Sequence, residues 1–162
     1  MTEATLKLAR IIRLDESDLN VFDPPGEPGE WAIPGTFAYS NWTEANLTGK
    51  ARQAFVNGWL GLESFGHATF VATARITVAE RDNLVDQLAA HFVDRYGAPS
   101  REAALPVATD EIAQMVEMCS NQDDNTLLMV ERSMEESGVR ERFRIIKPQS
   151  APLEAFAVHA SE

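Results

Sequence analysis

The residues of this chain that could do chemistry are few and scattered. There are three histidines. His67 stands at the start of a strand-like run, just after Gly66, where an imidazole beside a loop can act as an acid or base near neutral pH; the plainer reading is a surface side chain capping that strand. His91 lies beside the apolar stripe of a helix, with Arg95 one turn on and no carboxylate at i±4. His159 falls near the C-terminus. Gly61-Leu62-Glu63-Ser64-Phe65-Gly66 approaches a nucleophile elbow, but it has one residue too many before the serine and follows a helix instead of a strand, so Ser64 is not read as a nucleophile. Cys119, the only cysteine, shares an apolar stripe with Met115, where a buried thiol keeps a high pKa and stays inert. Asp123-Asp124-Asn125 lacks the ligand spacing of a cation loop and reads as a turn. Phosphate loops, His-Glu-x-x-His, EF-hand loops and Cys-x-x-Cys are all missing. The expectation is no catalytic residue, no metal and no cofactor.

What does concentrate is aromatic. All three tryptophans, Trp31, Trp42 and Trp59, fall between Gly29 and Phe70, joined by Phe37, Tyr39, Phe55, Phe65 and Phe70. Tryptophan combines a large apolar body with an N–H that needs a partner. Such a cluster, loosened by glycines, can line a pocket or an interaction surface. Trp42, Trp59, His67 and Tyr39 are therefore the candidate binding residues, set against a core reading with one tryptophan per element.

The elements that would position them follow from periodicity. Thr5 to Leu14 reads as a strand ending at Asp15-Glu16-Ser17-Asp18. The proline- and glycine-rich run from Asp23 to Gly29 is a loop. Trp31 to Tyr39 is a second strand, interrupted at Pro34-Gly35. Thr48 to Leu60 is a helix on the Ala51, Phe55, Trp59 spacing, and His67 to Thr77 a strand. Thr77-Val78-Ala79-Glu80 is a capping box that opens a helix along Leu84, Leu88, Phe92 and Tyr96, stopped by Gly97 and Pro99. A third helix starts near Thr109-Asp110 and buries Ile112, Met115, Val116 and Cys119. Thr126 to Lys147 is a hairpin turning at Ser137-Gly138, with Glu135 facing Arg140, Ser133 facing Arg142, Glu131 facing Arg144, and Val130 and Ile145 sharing the inner face. The order β-β-α-β-α-α-β-β predicts an α+β fold, a mostly antiparallel sheet of about five strands with about three helices on one face. Parallel α/β is excluded for want of alternating units.

The chain has 162 residues, 44% of them apolar, which suits a single domain over 1–162 with weakly held ends at Met1 to Ala4 and from about residue 150. A net charge of −11 argues against nucleic acid and anionic membrane. No basic residue lies between Arg13 and Lys50 or between Glu102 and Glu131; this is an acidic face for a basic partner or a solvated surface. The lone cysteine, the lack of a signal-peptide run and the lack of a membrane-length apolar segment make a reducing cytoplasm the expected compartment. Two glycosylation sequons, at Asn41 and Asn46, are read as chance matches.

The segment from Asn41 to Phe55, followed by Gly58-Trp59-Leu60-Gly61, and the later Val139-Arg140-Glu141-Arg142-Phe143-Arg144 resemble a family of small uncharacterised bacterial proteins. The resemblance implies no activity and carries no catalytic residue onto this chain. Taken together, the residues point to a non-enzymatic cytoplasmic accessory protein that binds another protein. The rival is a small-molecule site, possibly enzymatic, between the aromatic segment 31–70 and His67. Oligomeric state is left open.

Overall fold

The computed structural model describes residues 6–13, 17–40 and 42–146. The expected turn at Asp15-Glu16, the frayed ends, His159 and the hairpin's Lys147 lie outside them. The fold is α+β, and the described residues form an antiparallel sheet of 7 strands in the order β4 (His67–Ala68), β3 (Trp59–Gly61), β2 (Trp31–Ile33), β1 (Lys7–Ile12), β5 (Phe70–Arg75), β6 (Leu127–Glu135), β7 (Gly138–Ile146). More strands form than the expected five because two sequence runs each divide.

The central strand β1 (Lys7–Ile12) pairs along its whole length with β5 (Phe70–Arg75), from Lys7 opposite Arg75 to Ile12 opposite Phe70. A short helix, α1 (Ser17–Val21), and the proline-rich loop lead to β2 (Trp31–Ile33). The expected strand to Tyr39 stops at Ile33. Pro34 has no N–H to give, and Gly35 takes a left-handed φ of 71°, turning the chain into a 3-10 turn over Thr36–Tyr39. Gly35 is also held close: a Cβ there would lie 2.7 Å from Leu60 Cβ.

The expected helix through Leu60 is likewise shorter. α2 (Gly49–Asn57) is stopped by Gly58, whose extended conformation hands Trp59 and Leu60 to β3 (Trp59–Gly61). The Ala51, Phe55, Trp59 spacing had merged a helix with the strand that follows it. The run from His67 divides into β4 (His67–Ala68), paired with β3, and β5, paired with β1.

Helix α3 (Val78–Arg95) opens on the expected capping box: Thr77 N donates to Glu80 Oε1 at 2.9 Å and Glu80 N to Thr77 Oγ1 at 3.0 Å. Helix α4 (Arg101–Ser120) begins well before Thr109. Ser100 Oγ caps it by accepting from Ala103 N at 3.1 Å, and the helix runs through Pro106. Proline in a helix costs about 3 kcal/mol. Pro106 is exposed, and the turns around it bury Ala104 and Ala108 on the stripe that continues through Ile112, Met115, Val116 and Cys119.

The C-terminal ribbon, β6 (Leu127–Glu135) and β7 (Gly138–Ile146), turns at Glu136-Ser137, one residue earlier than expected. Glu135 therefore pairs with Gly138, Ser133 with Arg140, Glu131 with Arg142, and Val130 with Phe143. The faces survive because moving the turn by one residue changes the register by two, a full period of the side-chain alternation: Val130 and Ile145 remain on one side, and Glu131 bonds both Arg142 and Arg144. Burial does not follow the expectation at both positions. Val130 is sealed, whereas Ile145 is 43% exposed.

Helices α3 and α4 pack together, and α4 lies on β1, β2 and β5. Strand β6 pairs with β5 only through Leu127 and Leu128, and α2 lies against β6. The sheet curls strongly. Trp59 of β3 stacks on Phe143 of β7 with centroids 5.8 Å apart, although β2, β1, β5 and β6 lie between them in the sheet order.

Candidate functional site

The curl brings the aromatic segment to the inner face of the C-terminal ribbon, around Arg132. This guanidinium is completely buried. Its Nε donates to Thr36 Oγ1 at 2.8 Å, and its Nη1 to the carbonyls of Phe55 at 2.9 Å, Gly58 at 3.1 Å and Ala54 at 3.3 Å. Its Nη2 donates to the carbonyl of Pro34. Arginine presents a fixed fork of five N–H groups, and here that fork ties β6 to the end of α2 and to the turn after β2. Burial lowers its pKa, an effect opposed by Tyr39 and Glu141.

Three of the four expected residues gather here. Tyr39, on the 3-10 turn, is buried; its ring meets Trp42 at 4.7 Å and Phe55 at 5.2 Å, both edge-on, and the Arg132 guanidinium lies 5.0 Å from its centroid. Tyr39 Oη lies 3.4 Å from His67 Nε2. Burial, reinforced by Arg132, pushes His67 down to about 4. Burial pushes Tyr39 up to about 12 against the opposing effect of Arg132. Both values lie far from neutral pH, so the imidazole is a weak base and the phenol a weak acid there. Trp42 is half-buried and borders a shallow depression with Met134 and Gly138. Trp59 stands apart: it is fully enclosed against Phe143, and its Nε1 has no hydrogen-bond partner among the described residues.

The concavity with the most developed chemistry lies beside this cluster. A groove of about 600 Å³ runs between the turn after β2, helix α4 and strand β7. Phe37, Met115, Met118, Val139 and Phe143 supply apolar lining, and Glu111 from α4 and Glu141 from β7 supply carboxylates. Glu141 Oε1 accepts from Thr36 Oγ1 and lies 3.7 Å from Arg132 Nε, so a buried cation holds this carboxylate in place. Glu111 is half-buried, and burial, then Glu141, then Asp110 raise its pKa. A pair of carboxylates above an apolar floor is an environment for a cation with an apolar body. A second groove of about 600 Å³ lies between α3 and α4 over Val85, Ile112 and Val116.

Two buried charges escaped the sequence reading. Arg132 was detectable as the lone charge in the alternating series Leu128, Val130, Arg132, Met134. Glu30 carried no such signal. Its Oε1 accepts from Glu63 N and Ser64 N, each at 2.9 Å, and its Oε2 from Ser64 Oγ at 2.7 Å and Glu27 N at 2.6 Å. Ser64 thus serves as a loop tie. Gly61 is required beside it, since a Cβ there would overlap the Glu30 carboxylate.

The remaining groups have structural partners. Cys119 is fully buried and its thiol is pushed up to about 12 by that burial. His91 stacks on Phe65 with centroids 3.7 Å apart, its pKa lowered by burial and by Arg95. The Asp124 carboxylate pairs with Lys7 at 3.0 Å and Arg75 at 3.1 Å, while Asn125 takes a left-handed φ of 66°. Among the described residues no group of three or more His, Cys, Asp or Glu could hold a metal ion. No helix among them is long and apolar enough to cross a membrane.

Residues 6–162 match the model of a family of unknown function, DUF6505. No curated protein and no solved structure matches the chain.

Proposed function

We propose, for a chain that belongs to this family of unknown function, a non-enzymatic role as a cytoplasmic accessory domain. It takes a basic, apolar-bodied segment of a partner protein into the groove between α4, β7 and the turn after β2. One observation carries the reading. Glu111 and Glu141 border an apolar groove, and Glu141 is fixed from behind by the buried Arg132. The charge balance of −11 supports the same choice of partner by steering cations towards the surface. The buried, free Cys119 is compatible with a reducing compartment.

The groove's volume also suits a small ligand, so an amine-bearing small molecule is the second reading. Fluorescence anisotropy with a labelled peptide of alternating lysine and leucine tests the first. Binding should weaken with salt, and a serine-leucine peptide, which keeps the apolar groups and lacks the cations, should bind more weakly. Glu141→Gln, which keeps an acceptor for Arg132 and Thr36, and Glu111→Gln should each weaken binding about fivefold. If neither variant changes the affinity, the groove is not the binding face. If alkyl amines bind there and the lysine-leucine peptide does not, the second reading replaces the first.

A further inference from the structure

We infer that the partner segment binds as an extended strand added to the outer edge of β7, with carboxylates on one side and cationic or apolar groups on the other. This rests on the groove as the binding face and adds the partner's conformation and pattern.

The two ends of the sheet differ. At one end β4 has 2 residues and is already engaged by the proline-rich loop. His67 N donates to the Pro24 carbonyl at 3.1 Å, and Gly26 N donates to the His67 carbonyl at 2.7 Å. At the other end β7 has 9 residues and is the last strand of the sheet, so no other described strand pairs with its outer edge. A long, regular edge that no described strand pairs with is a template for one more strand.

The faces of β7 specify which strand. Side chains alternate along a strand. Val139, Glu141 and Phe143 line the groove, which places Arg140, Arg142 and Arg144 on the opposite face. These arginine side chains are 74%, 73% and 57% exposed. Glu135 lies 3.9 Å from Arg140, while Glu131 alone serves Arg142 at 2.7 Å and Arg144 at 3.3 Å. The face therefore keeps an excess guanidinium on a molecule that is otherwise acidic. An added strand would set alternate side chains against this stripe, where carboxylates are favoured, and the intervening ones over Glu141, where cations and apolar groups are favoured. A second copy of the chain fits badly, because antiparallel β7–β7 pairing would oppose the arginine stripe to itself.

The test uses the full chain and the labelled peptide Leu-Glu-Lys-Glu-Leu-Glu-Lys-Glu-Leu, with a control in which glutamate and lysine exchange places. The control should bind about tenfold more weakly despite its net positive charge. Backbone N-methylation at one set of alternate residues should abolish binding and at the other set should leave it intact, because only one set of N–H groups faces the edge. Arg142→Glu should weaken binding of the first peptide and strengthen that of the control. If both methylated sets bind alike and the control binds as well as the first peptide, strand addition is overturned; sensitivity to Glu141→Gln would then leave the groove reading standing. If neither peptide binds and the lysine-leucine peptide also fails, both readings fall. Concentration-dependent dimerisation in sedimentation, relieved by Arg142→Glu, would assign the edge to a second copy and overturn the inference.

Discussion

Replacing Arg132 by methionine removes the guanidinium and keeps much of the side chain's length. The structure sets the size of the effect. Nη1 has two hydrogens for three carbonyls, so the 3.3 Å contact to Ala54 is the weakest of the three. The firm bonds go to Thr36, Phe55, Gly58 and Pro34. Hydrogen bonds from a charged donor are worth about 1.5–3 kcal/mol each. Against these stands a desolvation penalty of several kcal/mol for burying the cation. The net loss should be about 3–5 kcal/mol, the range found when one partner of a buried charged pair is removed. Glu141 is 28% exposed and can rehydrate, which favours the lower end. Urea unfolding of Arg132→Met should show a drop of that size with an unchanged m-value, and a melting temperature lower by about 6–20 °C. Arg132→Lys keeps the charge but loses the fork, and should fall between the two. A methionine variant within about 1 kcal/mol of the wild type would refute the view that these bonds hold the α2–β6 junction together.

Three further outcomes follow from burial. Cys119 should resist a thiol reagent in the native protein and react once the chain is unfolded, since its thiol is pushed up to about 12; rapid native labelling would contradict this. Acrylamide should quench Trp42 and leave Trp59 dark to it, so Trp42→Phe should remove a quenchable fraction that Trp59→Phe does not; equal loss from both variants would be inconsistent with an enclosed Trp59. His67 drops from 6.5 to about 4 in the fold, so between those values the unfolded chain takes up a proton that the folded chain refuses. Stability should therefore fall by about 3 kcal/mol as pH decreases through that window. His67→Gln should remove that part of the pH dependence in urea unfolding measured across the same range, and an unaltered pH profile would sink the assignment.

Local signals in the sequence survive folding and non-local ones do not. Thr77 and Glu80 announce α3 because both partners of the capping box lie within one turn. The alternation in β6 and β7 assigns the correct faces to Val130 and Ile145, while the turn position depends on which residues best accommodate it, and Gly138 opens β7 instead of sitting within the two-residue loop. The end of α2 was hidden because Phe55 and Trp59 are both buried, one on a helix and the other on a strand, and periodicity reports burial without naming the element. Pro106 concealed the first turns of α4, since a breaker rule cannot see the core those turns enter. The candidate site was half legible. Tyr39, Trp42 and His67 do cluster, with Tyr39 touching the other two and the unforeseen Arg132 lying over its ring, and the groove's two carboxylates come from α4 and β7. Glu111 and Glu141 are brought to one groove only by the curl of the sheet.

That curl has a consequence for the order of assembly. Trp59 is enclosed by Phe143, and synthesis from the N-terminus delivers β7 after every other strand of the sheet. Until it docks, the nascent chain carries an uncovered indole, and the Arg132 acceptors on α2 wait for the strand just before it. Contacts between such distant parts of a chain form late and slowly, and exposed apolar surface in that interval favours misassembly. Completion of the core and formation of the groove between α4, β7 and the turn after β2 are thus one event, so the groove exists only in the finished fold.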